Sequence, residues 1–99
     1  MVKLIWTEIS KQDLKDIFDY ISNDSRRYAS ITVNKIFQRV QVIVGNPYTG
    51  RIVPEFNDKL IREVIIGNYR IVYLIVSKSQ VHILRVYHSA RRLSDDILP

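Results

Sequence analysis

From Lys59 to Arg92 the chain carries Lys59, Arg62, Arg70, Lys78, Arg85, Arg91 and Arg92 against one acid, Glu63. The arginines return among Val, Ile, Leu and Tyr, so a sheet built from this stretch would be studded with guanidinium groups. A guanidinium fork matches a carboxylate or a phosphate through two parallel hydrogen bonds. The chemistry offered is therefore a surface for something polyanionic, or for a protein that imitates or masks it. Tyr87-His88-Ser89-Ala90-Arg91-Arg92 adds an imidazole close in sequence to three arginines.

Other chemistries find little material. With 2 histidines, no cysteine and no paired acidic ligands, a metal site is not expected. There is no Gly-rich phosphate loop and no Ser-His-Asp spacing, and no cofactor is implied. The plainer reading of Arg62, Arg70 and Arg85 is that their stems cover apolar sheet area while their heads stay in water. Glu63 would then make an ordinary cross-strand ion pair, worth well under about 1 kcal/mol. His82 reads as a surface histidine, and the aromatic residues read mainly as core and sheet packing.

Bulk properties set limits. A chain of 99 residues is long enough for one domain, here 1–99, with no room for a second core. Apolar residues at 46% and charged residues at 25% exclude a disordered chain. A net charge of +5 favours nucleic acid, an acidic protein or anionic lipid as partner without choosing among them. The absence of cysteine points to a reducing cytosol. No segment approaches the roughly 20 apolar residues of a spanning helix, so a cytoplasmic protein without a membrane partner is expected.

The elements that must position these residues follow from periodicity. Val2–Trp6 reads as a short strand. Ser10 reads as a helix N-cap, followed by Leu14, Ile17, Phe18 and Ile21 on one face. Asn23-Asp24-Ser25 breaks the pattern and supplies new caps. Ala29, Val33, Ile36, Phe37, Val40, Ile43 and Val44 sustain a second helix, which Gly45 and Asn46-Pro47 end. Tyr48–Lys59 reads as an extended loop. Strands follow near Leu60–Ile66, Tyr69–Val76 and Val81–His88, joined by Gly67-Asn68 and by Ser77–Gln80. Such short connections make the three strands antiparallel neighbours. The order is β-α-α-β-β-β, an α+β fold with a helix hairpin packed on a small antiparallel sheet.

Strict alternation in the last strand puts Arg85 and Tyr87 on one face with Val81 and Ile83, and His82, Leu84, Val86 and His88 on the other. In the middle strand Arg70 lies with Val72, Leu74 and Val76. A slip of one residue in register inverts such assignments.

GRIVPE (Gly50–Glu55), REV (Arg62–Val64), NYRIVY (Asn68–Tyr73) and VHILRVYHSARR (Val81–Arg92), in that order, resemble the RelE/ParE superfamily of bacterial toxins. The Trp6 strand and the helix carrying Asp13, Leu14, Ile17, Tyr20 and Ile21 fit the same pattern. The resemblance spans almost the whole chain and is closest to ParE-like members. It implies the fold read above and a toxin of a type II toxin–antitoxin system that poisons DNA gyrase and is neutralised by a cognate acidic antitoxin. Arg62, Arg70, Arg85, Arg91 and Arg92 would then be the target-binding set.

The alternative within the superfamily is a ribosome-dependent mRNA endoribonuclease of the RelE/YoeB type. There an RNA 2′-hydroxyl attacks the adjacent phosphate, which calls for a base, an acid and cations over the developing charge. By resemblance Glu55 would be the base, Arg70 the phosphate clamp and His88 the acid. Ser89 stands where those nucleases carry an aromatic residue, and the basic residues of their second strand are thin here, with only Lys59 and Arg62. A simple nucleic-acid-binding domain is a third class, favoured by charge alone.

Overall fold

The computed structural model describes residues 2–88. Strand β1 (Lys3–Trp6) leads into helix α1 (Glu8–Ser22) and helix α2 (Arg26–Gly45). A turn of 3-10 helix at Pro47–Thr49 and a two-residue strand β2 (Arg51–Ile52) follow. Strands β3 (Ile61–Ile66), β4 (Tyr69–Ser77) and β5 (Gln80–His88) complete the order. The sheet runs β1-β5-β4-β3-β2. The β2–β3, β3–β4 and β4–β5 pairs are antiparallel, and β1 lies parallel to β5.

The expected β-α-α-β-β-β order stands, with β2 added inside what the sequence reads as a loop. The cap of α1 is Thr7 rather than Ser10. The Thr7 hydroxyl accepts from the Ser10 N–H at 3.1 Å and donates to the Leu84 carbonyl at 3.1 Å. One side chain thus ends the β1 connection, starts the helix and ties it to β5, which a local sequence pattern does not reveal. Ser10 is buried in the first turn, its hydroxyl donating to the Thr7 carbonyl at 2.7 Å. Helix α2 starts as read, with the Ser25 hydroxyl accepting from the Tyr28 N–H at 3.1 Å. Gly67, at φ +57°, supplies the positive φ that the β3–β4 turn requires.

Two apolar clusters flank the sheet. Leu14, Ile36, Val40 and Ile43 from the helices pack on Val64, Ile71, Tyr73, Ile75, Val81, Ile83 and Val86. On the far face Val53 and Phe56 of the β2–β3 connection cover Val72, Leu74, Leu84 and Tyr87. Strict alternation fails in β5, because Val72 pairs with Arg85 while Tyr73 pairs with Ile83. Leu84 is the extra residue of a bulge, and a bulge shifts every later side chain by one position. Val86 therefore joins Val81 and Ile83 under the helices, and Tyr87 moves to the far face.

Candidate functional site

The far face holds a charged network. Register sets Arg51 beside Glu63 and Glu63 beside Val72, with Arg70 one diagonal step away. The Glu63 side chain is 0% exposed. Its Oε2 accepts from Arg51 Nε at 2.5 Å, and its Oε1 accepts from Arg70 Nε at 2.7 Å and also from Arg70 Nη2. The two terminal nitrogens of Arg70 reach Glu55 at 3.2 and 3.3 Å. Two carboxylates and two guanidinium groups thus balance. A buried carboxylate would be costly without such partners. Burial works to lower the Arg70 pKa, but hydrogen bonds to Glu55 and Glu63, with their charges, more than reverse it and hold the pKa above its ordinary value.

A second pair ties α1 to β5. Asp13 accepts from Arg85 Nε at 2.8 Å and Nη2 at 3.0 Å, and also from the Val86 backbone N–H at 3.0 Å. The β1–β5 pairing ends at Trp6–Ile83, so past that point Thr7 and Asp13 satisfy the β5 edge. The hydrogen bonds to Asp13 raise the Arg85 pKa, outweighing burial.

The sequence-derived residues are therefore distributed unevenly. Glu55 and Arg70 come together as expected for a base and its clamp, but as an ion pair with Glu63 beneath. Arg70 is 6% exposed rather than standing on an open flank. His88 pairs with Tyr69 and meets its ring edge-on, with centroids 6.0 Å apart. Tyr69 packs against the helix-side core, so His88 stands on the sheet face opposite Glu55 and Arg70. Arg62 also lies on the helix side. It donates to the Lys59 and Gly50 carbonyls at 2.9 and 3.0 Å, and its guanidinium carbon lies 4.9 Å from the centre of the Tyr48 ring. Arg91, Arg92 and Ser89 fall outside the described residues.

Sequence reasoning missed Glu63 as the hub, because the register that brings Arg51 and Arg70 to it is not local. It also missed Asp13 and the exposed, unpaired Arg39 of α2. Arg39 has no hydrogen bond or ion pair among the described residues and lines a cavity of about 240 Å³ with Thr49, Gly50, Arg51 and Ile65. A second cavity, about 250 Å³, opens between the helix hairpin and the β3–β4 turn, with Tyr28, Ile31, Lys35, Ile66 and Tyr69 in its walls. Tyr20, Tyr28 and Ile31 are exposed along the hairpin. Among the described residues no group of three or more His, Asp or Glu side chains is placed to hold a metal, and no helix is long and apolar enough to cross a membrane.

The sequence pattern of one family, described as the ParE toxin of the type II toxin–antitoxin system parDE, matches residues 4–93. The chain belongs to the ParE toxin family. It is accordingly the toxin component of a type II toxin–antitoxin system. Its fold is shared with a solved chain of a chromosomal ParDE toxin–antitoxin system from P. aeruginosa, at a TM-score of 0.69 and 24% identity, covering 89% of this chain and 96% of that one. No curated protein matches the sequence. In this ParE-family toxin the charged residues on the far face hold the β2–β3 connection to the sheet, with Arg51 the one guanidinium of the network that stays exposed.

Proposed function

We propose that this toxin arrests growth by binding DNA gyrase in the cytoplasm and performs no chemistry of its own. Family membership supports the gyrase target. The observation that carries the non-enzymatic reading is the separation of His88 from Glu55 and Arg70 by the sheet. An acid and a base must reach the same phosphodiester from either side of the attacked bond. Both oxygens of Glu55 already accept from Arg70, and Arg70 in turn is spent on two carboxylates.

A cognate acidic antitoxin is the second part of the proposal. A chain of net charge +5 attracts such a partner. The groove between the hairpin and the β3–β4 turn, with Tyr28, Ile31 and Lys35 on its wall, suits an amphipathic segment with acidic residues at its rim. Pull-down of purified gyrase by the immobilised toxin, released by an added antitoxin, tests both parts. Absence of gyrase from the bound fraction, with ribosomes retained instead, would favour the nuclease.

A further inference from the structure

Of the arginines that the sequence sets on the sheet, Arg70 and Arg85 are neutralised by carboxylates. Three other arginines lie around Tyr48–Arg51. Arg39 from α2 and Arg51 from β2 line one cavity with Thr49 and Gly50. Arg62 reaches the carbonyls of Tyr48 and Gly50 from the other side and has no carboxylate partner among the described residues. Arg51 spends its Nε on Glu63, yet its side chain remains 59% exposed and its other donors have no partner among the described residues. The one acid lining the cavity, Glu63, is buried and shared between Arg51 and Arg70.

We propose that this flank, Arg39, Arg51 and Arg62 around Tyr48, binds the phosphodiester backbone of a nucleic acid. The cations are guanidinium groups, whose fork matches phosphate oxygens as well as carboxylates. Two further observations favour phosphate over an acidic peptide. Tyr48 is 59% exposed with the Arg62 guanidinium over its ring, an arrangement on which a base can stack. The Thr49 hydroxyl makes no hydrogen bond among the described residues and adds a neutral donor to the same wall. An inserted peptide strand would need apolar pockets for alternate side chains, and Ile65 is the one large apolar side chain lining this cavity that is well exposed. The surface is separate from the groove assigned above to the antitoxin, and the proposal holds whether the poisoned target is gyrase or the ribosome.

The test is fluorescence anisotropy of the purified full chain with a short labelled duplex and with one of its single strands, across a salt series. Arg39→Glu reverses a charge that no other side chain depends on, so the variant should fold. Arg26→Glu makes the same change in net charge about 20 Å away along α2, well beyond the screening length. Expected is a loss of about tenfold or more in affinity for Arg39→Glu, with a shallower salt dependence, and a change under about twofold for Arg26→Glu. Equal losses in the two variants would reduce the effect to net charge and overturn the proposal. So would failure of both nucleic acids to bind at low salt. Tighter binding of poly-glutamate with the same sensitivity to Arg39→Glu would reassign the flank to an acidic protein.

Discussion

The Arg70 guanidinium presents both terminal nitrogens to both oxygens of Glu55, at 3.2 and 3.3 Å, while its Nε turns to Glu63 at 2.7 Å. Glu55 lies in the β2–β3 connection and Glu63 on β3, so one side chain of β4 clamps the connection over the far face of the sheet. The same clamp buries the arginine and engages both oxygens of the glutamate that a nuclease would need.

Breaking this network should destabilise the fold strongly. Glu63→Ala leaves two guanidinium groups facing an empty site, and loss of one member of a buried pair costs about 3–5 kcal/mol. Urea unfolding followed by circular dichroism reads the change. Lys11→Ala, which breaks an exposed pair with Glu8, should cost under about 1 kcal/mol in the same experiment.

Gly50 and Gly45 should respond oppositely to alanine. A Cβ at Gly50 would lie 2.5 Å from the Tyr73 hydroxyl and 2.7 Å from the Glu63 carbonyl, and neither neighbour can give way freely. Gly50→Ala should lower stability by about 1–3 kcal/mol. Nothing lies within 4 Å of a Cβ at Gly45. Gly45→Ala should be neutral or raise stability by up to about 1 kcal/mol. Thermal unfolding of the two variants separates them.

The Tyr73 hydroxyl donates to the Pro47 carbonyl at 2.6 Å and accepts from the Gly50 N–H at 3.0 Å. Burial raises its pKa above the ordinary 10.0, partly offset by the Gly50 hydrogen bond and by Arg62. The folded state therefore keeps a proton that the unfolded chain gives up. The stabilisation is complete below pH 10.0 and is lost as pH rises through the folded value. Denaturant midpoints measured from neutral to strongly alkaline pH should fall above that point. Tyr73→Phe should reduce the fall while lowering neutral-pH stability by about 1–3 kcal/mol.

Asp13 is expected to hold α1 against β5. Asp13→Asn keeps the shape but withdraws the charge that faces Arg85, which is 13% exposed. A loss of about 2–4 kcal/mol is expected. Faster amide exchange should appear at Val86 in Asp13→Ala, which removes the carboxylate that accepts its N–H at 3.0 Å. Unchanged protection there would refute the anchoring role.

Much of this fold is legible from local pattern. The Gly67 turn between β-branched runs announces the β3–β4 hairpin, and Ser25 ahead of the period through Ala29, Ile36, Val40 and Ile43 announces α2. What is not legible depends on distant partners. Thr7 displaces Ser10 as a cap because it also meets Leu84. The bulge at Leu84 moves Val86 and Tyr87 across the sheet, a change that alternation cannot anticipate. Arg70 and Arg85 look like exposed cations because Glu63 and Asp13, which neutralise them, approach only through sheet register and helix packing. The candidate site suffers from the same cause: Glu55, Arg70 and His88 are identifiable by resemblance, but their distribution over two faces follows from register.

The central claim is that this toxin binds its target and performs no chemistry. The most direct measurement follows gyrase supercoiling and mRNA integrity in parallel, using the wild-type chain and the Glu55→Gln/His88→Ala double variant at equal concentration. Both proteins should inhibit supercoiling to a similar extent and leave ribosome-bound mRNA intact by primer extension. Undisturbed supercoiling, together with mRNA cut by the wild type and spared by the double variant, would contradict it.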